Sequence, residues 1–217
     1  MNVAITGASG FIGRAVAESL RSSGHIVRTV SLRGRLEPAA LAGVNAVVHM
    51  AGEPVAQRWT AAVREKIMRS RVEGTRALVA AMRGQPPQVL ISASAVGYYG
   101  SRGDEILLES APPADDFLGR VAKAWEEEAQ AAEPLGVRVA RLRIGMVVGS
   151  NGGALARMLP PFRLGIGGRL GSGRQWTSWI HVDDLISQNS FAATPNDLIP
   201  TALAASPIVA ISDSRAS

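Results

Sequence analysis

The chain has 217 residues, 47% of them hydrophobic and 19% charged, with a net charge of +5 and no cysteine. That length supports one domain with a sizeable core, the lack of cysteine excludes disulfide and thiol chemistry and fits a reducing, cytoplasmic setting, and no apolar run approaches the ~20 residues of a membrane span. The arginines are scattered among Glu and Asp with no dense basic run and no interleaved aromatics, so the expected partner is an anionic small molecule, not nucleic acid or a membrane.

Met1 leads directly into a short apolar strand over Asn2 to Thr6, with no signal-peptide pattern before it. Gly7, Gly10 and Gly13 follow at three-residue spacing, and helical periodicity starts at once with Ile12, Val16 and Leu20. A buried strand, a glycine turn and a helix N-terminus together make a pyrophosphate site. The glycines let the backbone approach the phosphates, and the free N–H groups through Ser9, Phe11 and Ile12, with the helix dipole, favour negative charge. The first helix is expected from about Gly10 to Ser22, stopped by Gly24.

A second strand is expected over His25 to Leu32. The position that reads the adenosine ribose lies about 20 residues beyond the glycine turn, where an acid suits a free 2′-hydroxyl and an arginine a 2′-phosphate. Here it falls on Arg33, with Arg28 and Arg35 nearby and no acid before Glu37, which favours NADP over NAD. Val44 to Met50 reads as a third buried strand that ends in Ala51-Gly52, small residues that leave room for a cofactor over a carboxyl strand end. His49, inside that apolar run, reads as a satisfied core histidine. A long helix from Trp59 to Arg83 stops at Pro86-Pro87.

The next strand, from Val89, ends in SASAVGYYG, Ser92 to Gly100. A hydroxyl at the end of a central strand can bond a substrate oxygen beside a nicotinamide ring; Ser94 is the candidate, Ser92 the second choice, and both could instead satisfy backbone groups. Phe117 to Ala129 carries the apolar stripe of another helix, and Val137 to Val148 reads as one further strand. In the glycine-rich segment Gly165 to Gly173 and beyond, Arg174 and Trp176 suit a phosphate or a sugar ring, through charge-assisted hydrogen bonds and stacking. His181, Asp183 and Asp184 lack a second cluster that would complete a metal site, and Asp183 or Asp184 reads as a helix N-cap.

Together TGASGFIG, HMAG and SASAVGYYG resemble the extended or atypical short-chain dehydrogenase/reductase superfamily. The segment GIGGRLGSGRQWTSWIHVDDL, Gly165 to Leu185, resembles its subgroup of nucleoside-diphosphate-sugar epimerase-like proteins, of NAD(P)-dependent epimerase/dehydratase type. With the strand–helix alternation, the resemblance implies an α/β fold, a Rossmann-type doubly wound parallel sheet with helices on both faces. It also implies a bound dinucleotide and a substrate lobe drawn mainly from the C-terminal part, with a homodimer by analogy. Gly7, Gly10, Gly13 and Ala51-Gly52 match cofactor positions, and Ser94 matches the hydroxyl that polarises the substrate.

The superfamily's central pair is a tyrosine that moves the proton and, four residues on, a lysine that tunes it and holds the nicotinamide ribose. Lys123 fits that lysine, but Gly119 stands where the tyrosine belongs, which leaves Tyr98 or Tyr99 as a substitute acid. Residues 1–185 are expected to form the Rossmann domain with the start of a substrate loop, and 186–217 a divergent or truncated tail without helical periodicity, except for a short strand over Ile208 to Ile211. Two functions follow: an NADP-dependent oxidoreductase or epimerase for a small carbonyl or nucleotide-sugar substrate, or a non-catalytic dinucleotide-binding protein.

Overall fold

A computed structural model describes residues 1–150, 152–168, 173, 176–193 and 209–213. Five strands run parallel: β1 (Asn2–Thr6), β2 (Ile26–Val30), β3 (Ala46–His49), β4 (Val89–Ala95) and β5 (Arg138–Ile144). Two more, β6 (Met146–Gly149) and β7 (Trp179–His181), pair in a small separate sheet, and β8 (Val209–Asp213) adds antiparallel to β5. The main sheet has the order β2-β1-β3-β4-β5-β8. From β1 the chain moves outward to β2 and then returns to the other side as β3, so the winding reverses between β1 and β3. Sheets wound in this way bind ligands over the carboxyl ends of the strands at that reversal.

Among the described residues, five α-helices accompany the strands: α1 (Phe11–Ser22), α2 (Ala61–Met82), α3 (Phe117–Gln130), α4 (Gly153–Arg163) and α5 (Val182–Ala193). Their starts follow from local chemistry. The Thr60 hydroxyl accepts from the Val63 N–H at 3.2 Å to open α2, and the Asp116 carboxylate accepts from the Gly119 N–H at 2.7 Å to open α3. Gly24, at φ +80°, turns the chain out of α1.

Helices lie on both faces of the sheet. One face, Val3, Ile5, Val48, Ile91 and Leu142, packs against Val16 and Leu20 of α1 and Leu185 of α5. The other, Ala4, Val47, Leu90 and Val139, packs against Leu78 and Met82 of α2 and Ala129 of α3. Being covered on both sides, the strands are nearly continuous apolar runs. The α2–α3 face changes character along its length. In register across the strands, Thr6 pairs with His49, His49 with Ser92, Ser92 with Arg141, and Ser94 with Arg143, so the carboxyl end of this face is polar and buried.

Several expectations are corrected. The strand expected over Val137 to Val148 breaks at Gly145, where a Cβ would stand 2.8 Å from the Ser178 carbonyl oxygen; the Met146 N–H donates to that oxygen at 2.8 Å, and the chain leaves β5 to pair with β7. Helicity does not stop at Leu185: α5 runs to Ala193, anchored by Leu185 and Ile186 against the core. Asp183 and Asp184 lie inside the first turn of α5, where carboxylates favour the dipole, and the His181 Nδ1 accepts from the Asp183 N–H at 3.3 Å.

Candidate functional site

The glycine turn is packed to the limit of what the backbone allows. Gly7 has φ +74°, and a Cβ there would stand 2.6 Å from the Met50 carbonyl carbon and 2.7 Å from the Ala51 nitrogen. On Gly13 a Cβ would stand 2.3 Å from the Gly7 carbonyl oxygen, and the Gly10 N–H donates to that same oxygen at 3.0 Å. Gly10 caps α1 without a side-chain hydrogen bond, and no acidic residue occupies the first turn. The first N–H groups of α1 are thus left for an outside acceptor, with the dipole behind them. Phe11 and Ile12 contribute backbone only: Phe11 packs its ring against Gly149, Gly152 and Gly153, and Ile12 lies against the core, while Ser9 sits exposed on the rim.

Arginines lie on both the β2 and the β3 side of β1. On the β2 side Arg28 donates to the Ala40 and Ala42 carbonyls (3.0 and 3.2 Å) and Arg35 pairs with Glu37 at 3.0 Å. Arg33 stands exposed just past the end of β2. On the β3 side, Ala51 and Gly52 follow the strand, and the Arg71 guanidinium from α2 lies against Gly52.

His49 is fully buried. Its Nδ1 shares a hydrogen bond with the Thr6 hydroxyl at 2.6 Å, its Nε2 shares one with the Thr75 hydroxyl at 2.8 Å, and its ring meets Trp125 edge-on at 6.1 Å. A neutral imidazole has one donor and one acceptor, so one threonine donates and the other accepts. Burial, with the Arg71 charge second, holds the ring down at about 4, so it is neutral at pH 7. It is a satisfied core histidine.

Ser94 lies in a buried ionic network. Its hydroxyl donates to Glu126 Oε1 at 2.6 Å. Arg143 grips the same carboxylate from Nε at 2.8 Å and Nη2 at 2.9 Å, while its Nη1 donates to the Tyr99 hydroxyl and the Glu109 carbonyl, each at 2.8 Å. The guanidinium also covers the Tyr98 ring at 3.6 Å, and Arg141 Nη1 approaches Glu126 at 3.7 Å. Burial alone would lower the Arg143 ionisation, but the Glu126 carboxylate overrides it and raises it. Burial raises the Tyr99 phenol against the opposing pull of Arg143. With its only proton given to Glu126, Ser94 offers further partners acceptor lone pairs and no donor.

A family model for the NAD dependent epimerase/dehydratase family matches residues 3–202. The chain belongs to that family. It is 40% identical over 211 residues to the chloroplastic SDR39U1 homolog of Arabidopsis thaliana, an epimerase family protein, a match that covers 86% of this chain and 60% of that protein. The nucleoside-diphosphate sugar epimerase of Corynebacterium glutamicum superposes with a TM-score of 0.78 at 35% identity, over 91% of this chain and 44% of that one. Human SDR39U1 isoform 2, solved with NADPH, gives 0.80 at 34% identity, over 91% of this chain and 72% of that one. The chain therefore spans 60% of the plant relative's length and less than half of the bacterial structure.

Set against this family's superfamily pattern, the remaining candidates separate. Lys123 lies on the exposed side of α3, 3.8 Å from Glu127, whereas Ser94 meets Glu126 on the buried side, so the two candidates do not converge. A Cβ on Gly119 would stand 2.2 Å from the Ala114 carbonyl oxygen, which leaves no room there for a tyrosine. Tyr98 lies under Arg143 in the network, and Trp176, largely exposed, donates its Nε1–H to Asp104 at 2.6 Å. Arg174 lies outside the described residues. Sequence reasoning missed Glu126 and Arg71. Glu126 sits inside a helical run of three glutamates that reads as a solvated face; its spacing, one position after the buried Trp125, was the available signal. Arg71 was hidden in the charged surface pattern of α2. Among the described residues no three His, Asp or Glu side chains gather as a metal site, and no helix is long and apolar enough to cross a membrane.

Proposed function

We propose that this chain binds a nicotinamide dinucleotide over the carboxyl ends of β1 and β3, NADPH in preference to NADH, and acts in hydride transfer on a small carbonyl or nucleotide-sugar substrate. The observation that carries the reading is the glycine turn, where Gly7 and Gly13 leave no space for a Cβ and the N-terminus of α1 is uncapped by any side chain. That cradle fits a pyrophosphate. Arg33, exposed just past the end of β2, would pair with a 2′-phosphate, and the NADPH bound to human SDR39U1 supports this preference.

When bound, the dinucleotide would supply or accept the hydride. The protein's part is to hold it at the glycine turn and to orient the substrate. Ser94, its proton engaged by Glu126, would accept a hydrogen bond from a substrate hydroxyl, the alcohol form of the reacting centre. Lys123 keeps its proposed contact with the cofactor ribose only if it leaves Glu127.

Gly119 favours a second reading, dinucleotide binding without turnover, because no tyrosine fits at that position. Calorimetric titration with NADPH and NADH tests the binding. Arg33→Ala should weaken NADPH by about tenfold or more, as loss of a charged hydrogen bond does, and change NADH by less than about twofold. Equal affinity of both variants for NADPH would refute the Arg33 assignment. If NADPH binds, a screen of carbonyl and nucleotide-sugar substrates, read as nicotinamide oxidation, separates the two readings.

A further inference from the structure

Arg71 is built into the site in a way that the glycine turn does not explain. A Cβ on Gly52 would stand 3.0 Å from the Arg71 Cζ, 3.1 Å from Nη2 and 3.2 Å from Nη1. Those near-equal distances put Gly52 over the face of the guanidinium, so the absence of a side chain at position 52 is what lets the group lie there. The guanidinium also stacks on the Trp125 indole, 4.9 Å from the ring centroid. Nη1 donates to the Glu53 carbonyl at 3.0 Å and the Ile67 carbonyl at 3.3 Å.

The charge itself is left over. Arg143 and Arg141 share the Glu126 carboxylate, but among the described residues no carboxylate comes within 4.0 Å of Arg71, and its Nε and Nη2 carry no hydrogen bond. Burial lowers its ionisation to about 10, against the opposing charge of Glu53, so it remains a cation at neutral pH. Holding a half-buried cation with no carboxylate in direct contact is costly, and an arriving anion offsets that cost.

Position decides which anion. Gly7 packs on Met50 and Ala51, and Gly52 follows directly, so Arg71 borders the glycine turn on the β3 side, the side of β1 opposite to β2. Resting on the dinucleotide reading above, we propose that Arg71 is a phosphate subsite on the β3 side of the crevice, the side away from Arg33. The phosphate is either that of the nicotinamide half of the dinucleotide or one carried by the substrate. Gly52 serves it by adding no side chain against the guanidinium.

The test is calorimetric titration of the wild type, Arg71→Gln, Arg71→Lys and Gly52→Ala with NADPH, with reduced nicotinamide mononucleotide and with 2′,5′-ADP, which lacks the nicotinamide half. Arg71→Gln should weaken NADPH and the mononucleotide by about tenfold or more and leave 2′,5′-ADP within about twofold; Arg71→Lys should recover part of the loss, and Gly52→Ala should reproduce it. Unchanged melting temperature and circular dichroism of Arg71→Lys show that the loss is not one of folding. If NADPH is unaffected but inorganic pyrophosphate binds the NADPH-saturated wild type and not Arg71→Gln, the phosphate is the substrate's. Arg71→Gln equal to the wild type for every ligand overturns the subsite while leaving the dinucleotide reading intact. A wild type that binds neither NADPH nor 2′,5′-ADP overturns that reading, and the subsite with it.

Discussion

The Gly13 α-carbon and the Gly7 carbonyl are packed so closely that a single added methyl would lie 2.3 Å from the oxygen. At this turn β1 and α1 meet backbone to backbone, with no slack between them. Gly13→Ala must push α1 away from Gly7, an overpacking that costs about 1–3 kcal/mol. It should also displace the first N–H groups of α1 and lower NADPH affinity by more than tenfold, roughly the effect of one or two lost charged hydrogen bonds. Urea unfolding and calorimetry on the same preparation measure both. Gly10, where a Cβ would stand 3.3 Å from the Gly7 oxygen, should tolerate alanine better.

The Glu126 network makes a ranked prediction. Glu126→Ala leaves Arg143 buried without its carboxylate and should cost about 3–5 kcal/mol. Ser94→Ala removes one donor from a carboxylate that keeps both bonds from Arg143, and should cost about 1.5–3 kcal/mol, less than the loss of the carboxylate itself. Glu126→Gln, which retains an oxygen acceptor but loses the charge, should fall between them. Urea midpoints at pH 7 give the order; a loss below about 1 kcal/mol in Glu126→Ala would contradict a buried, charge-bearing contact.

The parts that repeat a period were legible in the sequence. Helix α1 was expected from Gly10 and starts at Phe11, and β1 matches its expected bounds. Such elements are fixed by glycine spacing and apolar runs, which are local. The break at Gly145 was not legible, because the contact that causes it, with Ser178, comes from more than thirty residues away. Helix α4 was hidden by Gly153 at its start and Pro160 and Pro161 within it, residues that locally argue against helix. The same holds for the site. Ser94 and the glycine turn were visible from strand-end position, but Glu126 became the partner of Ser94 only when α3 packed on the sheet.

Gly119 provides a third prediction. Because a Cβ there would stand 2.2 Å from the Ala114 carbonyl oxygen and 3.0 Å from the Ala114 Cβ, even alanine must move the start of α3 away from the loop before it. Gly119→Ala should destabilise by about 1–3 kcal/mol, as overpacking does, and Gly119→Tyr by more. Restoring the superfamily's tyrosine by this one substitution should therefore bring no gain in turnover. Thermal melts of the two variants beside the wild type check the order. A Gly119→Tyr protein as stable as the wild type would mean that the loop around Ala114 yields easily.

His49 makes the stability of the fold depend on pH in a defined window. In the unfolded chain an ordinary imidazole titrates near 6.5, whereas burial holds the folded one down at about 4. Between these values the unfolded state binds a proton that the folded state refuses, so this contribution is complete above pH 6.5 and is lost as pH falls toward 4. From pH 7 to pH 5 the loss should be about 2 kcal/mol. Carboxylates titrate over part of the same range, so the wild-type slope alone does not isolate the histidine. His49→Gln is neutral at every pH and leaves those carboxylates in place. Its stability at pH 7 should be lower, since an amide cannot reach both Thr6 and Thr75 with the geometry of the ring. Its further decline to pH 5 should be smaller than that of the wild type by about 2 kcal/mol. Urea unfolding of both proteins at the two pH values measures the difference, and parallel slopes would mean that His49 accepts its proton in the folded state.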